Sequence, residues 1–157
     1  MSIHTGQKAP EFSLPDQAGE THTLSQYSGK WVLVYFYPKD MTPGCTIEAC
    51  EIRDNFSAFK KANVVVLGIS ADSQKLHEKF ARTFSLPFPL LSDPKKEAIS
   101  AYGAVAKKSM FGKTFLGIVR SSVLIAPDGT VAKMYPKVSP KGHAQQVLQD
   151  ISALTKS

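Results

Sequence analysis

Cysteine is scarce in this chain: there are two in 157 residues, Cys45 and Cys50. Two are too few for the disulfide framework of a small secreted domain, and a chain of this length has no need of one. No apolar run approaches the ~20 residues of a membrane span. The polar and basic residues at positions 1–10 lead into no apolar stretch, so no signal peptide is read either. A soluble, cytoplasmic protein without a membrane partner is expected. Internal repeats, low-complexity tracts and linkers are also missing. With 43% apolar residues the chain can bury one good core and is too short for two ordinary domains, so residues 1–157 are expected to form a single domain.

Acidic residues are the minority, thirteen Asp and Glu against nineteen Lys and Arg, for a net charge of +6. Such an excess can signal a nucleic-acid partner. Here the basic residues fall in short pairs, Lys60-Lys61, Lys95-Lys96 and Lys107-Lys108, usually near acidic ones, with no stripe along one helix and no nucleic-acid motif. No nucleic-acid partner is expected. Paired metal-ligand spacing is lacking too: His4, His22, His77 and His143 read as scattered surface histidines, and no metal or cofactor is expected.

What is present is an alternation of β and α patterns. Residues 12–14 and 22–24 flank the turn-prone Pro15-Asp16-Gln17-Ala18-Gly19 and predict an opening hairpin. Residues 31–37 form an apolar and aromatic run ended by Pro38, the pattern of a central strand buried on both faces. A helix is expected over residues 43–61, with Thr42 as N-cap, Pro43 at the first helical position, and Ile47, Ile52, Phe56 and Phe59 as its core-facing stripe. A strand over 64–69, a helix over 73–84, a strand beginning at or flanked by 87–91 and a short helix over 95–102 follow. Residues 104–117 show no clear period and read mostly as loop, with Phe111 and Phe115 as its packing anchors in preference to the lining of a substrate or reductant groove. Strands over 120–126 and 130–135 joined by Pro127-Asp128-Gly129, and a helix over 142–155, complete the chain. The order implies an α/β fold with a mixed sheet and helices on both faces, for which right-handed crossovers make a thioredoxin-like layout natural.

The two cysteines carry the chemical signal. Cys45 falls in the first turn of the expected helix, where free N–H groups and the helix dipole favour negative charge and hence a thiolate nucleophile. Cys50 lies five residues on. In an intact helix that separation is about 7.5 Å of rise, with the side chains about 140° apart. A disulfide needs Cα atoms within about 7 Å and facing Cβ atoms. Bonding of Cys45 to Cys50 therefore requires the helix start to unwind, and oxidation is expected to unfold about residues 43–51.

The segment Tyr35-Phe36-Tyr37-Pro38-Lys39-Asp40-Met41-Thr42-Pro43-Gly44-Cys45-Thr46-Ile47-Glu48-Ala49-Cys50 resembles the active-site segment of the peroxiredoxin Q family, also called bacterioferritin comigratory protein. The resemblance extends from Gly6-Gln7-Lys8-Ala9-Pro10-Glu11-Phe12 through Gly117-Ile118-Val119-Arg120-Ser121 to Pro127-Asp128-Gly129. It implies a thioredoxin-like fold and the reduction of hydrogen peroxide or organic hydroperoxides. Cys45 then corresponds to the peroxidatic cysteine, Cys50 to the resolving cysteine, Thr42 to the threonine that orients the peroxide, Pro38 to the proline that shields the thiolate pocket, and Arg120 to the arginine that holds thiolate and substrate. The implied cycle forms a Cys45 sulfenic acid, then a Cys45–Cys50 disulfide, and is recycled by thioredoxin or a similar dithiol. A monomer is implied. Met41 departs from the pattern, standing where a polar residue is more usual.

Two alternatives stay open at this point. A thiol–disulfide oxidoreductase on the same fold would carry Cys-x-x-Cys, whereas four residues intervene here. A redox-regulated binding or sensor protein would be oxidised stoichiometrically, without turnover.

Overall fold

A computed structural model describes residues 3–155. The chain opens with an antiparallel pair, β1 (Ser13–Pro15) and β2 (Thr21–Thr23), then β3 (Trp31–Phe36), α1 (Pro43–Asp54), α2 (Phe56–Lys61), β4 (Val64–Ser70) and α3 (Gln74–Phe84). There follow β5 (Leu90–Ser92), α4 (Glu97–Ala101), β6 (Val105–Met110), β7 (Lys113–Ile118), β8 (Ser121–Ile125), β9 (Val131–Tyr135) and α5 (His143–Thr155). Five strands form one sheet in the order β5-β4-β3-β8-β9, with β3, β4 and β5 parallel and β8 and β9 antiparallel to their neighbours. This is the mixed, thioredoxin-like α/β arrangement expected. No helix among the described residues is long and apolar enough to cross a membrane.

Alternation along the central strand divides the core. Leu33, Tyr35 and Tyr37 enter one apolar cluster with Ala49 and Ile52 of α1, Phe59 of α2, Phe80 of α3 and Val147 and Ile151 of α5. Val32, Val34 and Phe36 enter the other, with Ile99 of α4 and Phe12 from the N-terminal segment. Both faces of β3 are therefore dry, which is why its sequence is a continuous apolar run. Gly68 of β4 makes room for the Tyr35 ring: a Cβ there would lie 2.8 Å from Tyr35 Cζ.

Five expectations are corrected. The helix expected over 43–61 is broken at Asn55, whose φ of −105° and ψ of 10° leave the helical region and whose Nδ2 donates to the Glu51 carbonyl at 2.8 Å. Ile47 does not belong to the core stripe: it is 39% exposed, because it stands about 200° around the helix from Cys45, while Cys45, Glu48, Ala49 and Ile52 share the buried face.

Residues 104–117 contain a hairpin rather than loop. β6 and β7 pair with each other alone, around a two-residue turn in which Phe111 and Gly112 both have positive φ (53° and 76°). With Lys, Ser and Thr standing out on both of its faces the ribbon has no buried side to impose alternation, and Phe111 and Phe115 are 96% and 45% exposed rather than packing anchors. The histidines are not scattered over the surface either: His22, His77 and His143 are buried, His22 against the nearby Asp16, and His77 and His143 against Asp40 and Ser122, which are too distant in sequence to leave a spacing signal.

Candidate active site

β3 ends at Phe36 in the middle of the sheet, and the chain crosses from there through a short loop into α1. Pro43 occupies the first helical position and fixes where the helix begins. Cys45 therefore lies in the first turn, with 2% of its surface exposed. Thr42 holds the N-cap backbone position, but its side chain makes no capping bond; its Oγ1 donates instead to the Lys39 carbonyl at 2.8 Å. The hydroxyl thus keeps its acceptor lone pairs, and the first-turn N–H groups face no competing side-chain cap.

Arg120 reaches the same point from the other side of β3. β8 runs antiparallel to β3 with Ser121 opposite Phe36, so the residue before Ser121 arrives where the α1 loop departs. Its carbonyl accepts from Val138 N at 2.9 Å, which ties the backbone down. Arg120 Nη2 lies 3.3 Å from Cys45 Sγ, and Nη1 donates to Glu48 Oε1 at 2.8 Å. A guanidinium can only donate, so sulfur is the acceptor, a part that a thiolate plays better than a thiol. Burial pulls the Arg120 pKa down, but Cys45 and Glu48 pull harder and raise it, so its charge is permanent.

Gly44 makes the approach possible: a Cβ there would stand 2.9 Å from Arg120 Nη2 and 3.3 Å from Pro140 Cγ. The requirement is one of space, since Gly44 is not among the glycines with positive φ.

Glu48 was not singled out by the sequence. It is 1% exposed, and burial pushes its carboxyl up to about 7 against the opposing pull of Arg120, with Glu51 adding to the rise. Its Oε2 and the Tyr35 hydroxyl are buried polar atoms with no hydrogen-bond partner among the described residues. The signal that could have found Glu48 is its place three residues after Cys45, one helical turn on and on the same face.

Of the residues named from sequence, the structure brings Cys45 and Arg120 into contact and sets Thr42 at the start of the same helix. Cys50 lies in α1 as well, partly exposed, so both cysteines sit in one uninterrupted helix and are free thiols. Pro38 is two residues beyond β3 with an exposed ring. Chemically, the pocket offers a nearly dry sulfur, a fixed cation beside it and helix-start N–H groups, an arrangement suited to a sulfur nucleophile and an anionic leaving group.

Comparison with known proteins gives a consistent answer. Residues 5–134 match the AhpC/TSA family. The chain is 49% identical over 148 residues to a putative peroxiredoxin Bcp of Coxiella burnetii, covering 94% of this chain and 98% of that one. It is 44% identical over 156 residues to the peroxiredoxin Bcp of Bacillus subtilis, covering 99% of each. Among solved structures, Xanthomonas campestris peroxiredoxin Q superposes with a TM-score of 0.87 at 39% identity, over 90% of both chains. A structure of the Xanthomonas campestris bacterioferritin comigratory protein, from work on its alkyl peroxide reduction activity, gives 0.88 at 38% identity over 91% of both.

Proposed function

The chain belongs to the AhpC/TSA family, in its peroxiredoxin Q or bacterioferritin comigratory protein group, and as such is a thiol peroxidase; from that premise we propose a cycle run by Cys45 and Cys50. The observation that carries the proposal is the 3.3 Å contact between Arg120 Nη2 and Cys45 Sγ inside a buried helix start.

In the first step the Cys45 thiolate attacks the terminal oxygen of a hydroperoxide. The O–O bond breaks, sulfur keeps the OH as sulfenic acid, and the hydroxide or alkoxide leaves and takes up a proton to become water or alcohol. Arg120 and the first-turn N–H groups face the charge that develops on the leaving oxygen. Thr42, its own proton engaged by Lys39 O, accepts from the peroxide O–H and aims the oxygen chain at sulfur. Pro38 takes the shielding role on the loop side by family resemblance alone. Organic hydroperoxides are included as substrates on the analogy of the Xanthomonas relative's alkyl peroxide reduction.

In the second step Cys50 attacks the sulfenic sulfur, water leaves, and the Cys45–Cys50 disulfide forms. Helical geometry forbids that bond while α1 is intact, so the helix start unwinds first. A dithiol protein such as thioredoxin then restores both thiols by exchange and is itself oxidised. The cycle suits a monomer of one domain in a reducing compartment such as the cytoplasm.

The test is intact mass measurement after equimolar peroxide. Wild type is expected to lose two hydrogens, Cys50→Ser to hold one added oxygen, and Cys45→Ser to stay unchanged. A wild type that remains unmodified defeats the cycle.

A further inference from the structure

Between Pro38 and Thr42, in the loop that joins β3 to α1, one residue is buried, and it is acidic. Within residues 38–44, Pro38, Lys39, Met41 and Pro43 are exposed and Thr42 and Gly44 half-buried, whereas Asp40 is 5% exposed. Every polar atom that Asp40 turns inward meets a partner outside residues 38–44. Its Oδ2 lies 2.6 Å from His77 Nδ1 on α3, its Oδ1 accepts from the Tyr37 hydroxyl at 2.7 Å, and its backbone N–H donates to Asp72 Oδ2 at 2.8 Å. Asp72 is in turn held by the Ser70 hydroxyl at 2.8 Å.

His77 is fully buried, and its Nε2 lies 3.0 Å from the Leu91 carbonyl on β5. A carbonyl can only accept, so Nε2 carries a proton, and one further proton lies between Nδ1 and Oδ2. The carboxylate is thereby moored to Tyr37 just past the end of β3, to α3 and, through the imidazole, to β5. A network satisfied this completely is rigid.

Immediately after the mooring the backbone is strained. Met41 has φ of 67°, a left-handed conformation that a non-glycine residue holds only where its surroundings impose it. Four residues later comes Cys45. The mooring thus stands at the boundary between the fixed end of β3 and the helix start that must open for Cys50.

We infer that Asp40 and His77 are positioning residues for the peroxide reaction: their buried pair holds the loop so that Cys45 stays against Arg120 until it is oxidised, and it marks the upstream limit of the segment that unwinds afterwards. The inference rests on the cycle proposed above. Its consequence is kinetic. Sulfenic acid on Cys45 has two fates: attack by Cys50, which needs the helix start open, or attack on a second peroxide, which gives sulfinic acid and water and needs the folded pocket. A firm mooring favours the first oxidation and slows access to Cys50; a loosened one does the reverse.

The experiment uses the full chain with His77→Gln, Asp40→Asn and the milder Tyr37→Phe, which deletes one O–H···O bond. The rate of the first oxidation is read by quenched mass measurement in a Cys50→Ser background. The fraction of Cys45 trapped with two added oxygens under excess peroxide is read with Cys50 present. His77→Gln and Asp40→Asn are expected to slow the first oxidation by about tenfold, the scale of a small misplacement at a reacting centre, and to lower the sulfinic fraction. Tyr37→Phe is expected to shift both in the same direction by less. A purely structural role would lower the melting temperature and leave both readouts within about twofold of wild type, which would overturn the inference; so would a sulfinic fraction that rises. If the two charge variants fail to fold, an unchanged Tyr37→Phe overturns it alone. Failure of the wild type to oxidise would sink the cycle itself, whereas a cycling wild type matched by its variants would sink only the mooring.

Discussion

Glu48 buries its carboxyl in the pocket and anchors Arg120 with one oxygen while the other finds no partner among the described residues. Burial of such a group costs stability when it is ionised, and its pKa near 7 in the folded protein, against 4.5 as the ordinary value, fixes the pH range. Below about pH 4.5 the carboxyl is protonated folded or unfolded, and no penalty applies. Between there and 7 the unfolded chain ionises first, so the folded state loses stability as pH rises, and above 7 the loss levels off. The effect is on the order of 3 kcal/mol at most. Glu48→Gln removes the titration. Its urea midpoint is therefore expected to rise relative to wild type between pH 4.5 and 8, while peroxide turnover falls because Arg120 keeps an amide acceptor but loses the charge that holds it. A midpoint difference that does not vary with pH would show that Glu48 is not held as a buried acid. Sequence made Cys45 and Arg120 visible because their motif is distinctive, whereas a glutamate inside a helix ordinarily reads as solvated and only its spacing from Cys45 marks it.

At the scale of elements, β3, β4 and α3 were legible because each has a periodicity imposed by burial, on both faces of the strands and on one side of the helix. The β6–β7 hairpin was not, since a ribbon exposed on both faces imposes no period, and the break at Asn55 was hidden because apolar residues continue past it at helical spacing. α1 itself predicts how the protein responds to oxidation. Its first turns hold both cysteines, but from Ile52 onward the helix is fixed, by full burial of Ile52 and by the Arg53 Nη1 bond to the Phe84 carbonyl at 2.7 Å. Unwinding should therefore run from the helix start to about residue 51 and stop. Hydrogen exchange of the oxidised protein is expected to show lost protection over residues 46–54, since the amides of 52–54 donate to the carbonyls of 48–50 in the unwound segment, with α2 and the strands still protected. Uniform protection across α1 after disulfide formation would mean that the bond forms without unwinding.

For the whole molecule, the proposed cycle requires the oxidised and reduced forms to differ in what the sheet carries on the α1 face. The alternation of β3 into two clusters was readable from its apolar run, but the buried histidines were not, because His77 meets Asp40 and His143 meets Ser122 only through the tertiary fold. A disulfide normally stabilises by restricting the unfolded chain, yet a loop of about six residues contributes only about 2 kcal/mol on that account. Against this stand several helical hydrogen bonds worth about 0.5–1.5 kcal/mol each, the charged contact of Arg120 with Cys45 worth about 1.5–3 kcal/mol, and the burial of Cys45 and Ala49 in the core cluster. The losses exceed the gain, so the disulfide form should melt below the reduced form, the reverse of what a structural disulfide does. Calorimetry of the two forms decides it: a higher midpoint for the oxidised protein would show that α1 repacks around the new bond instead of leaving the core.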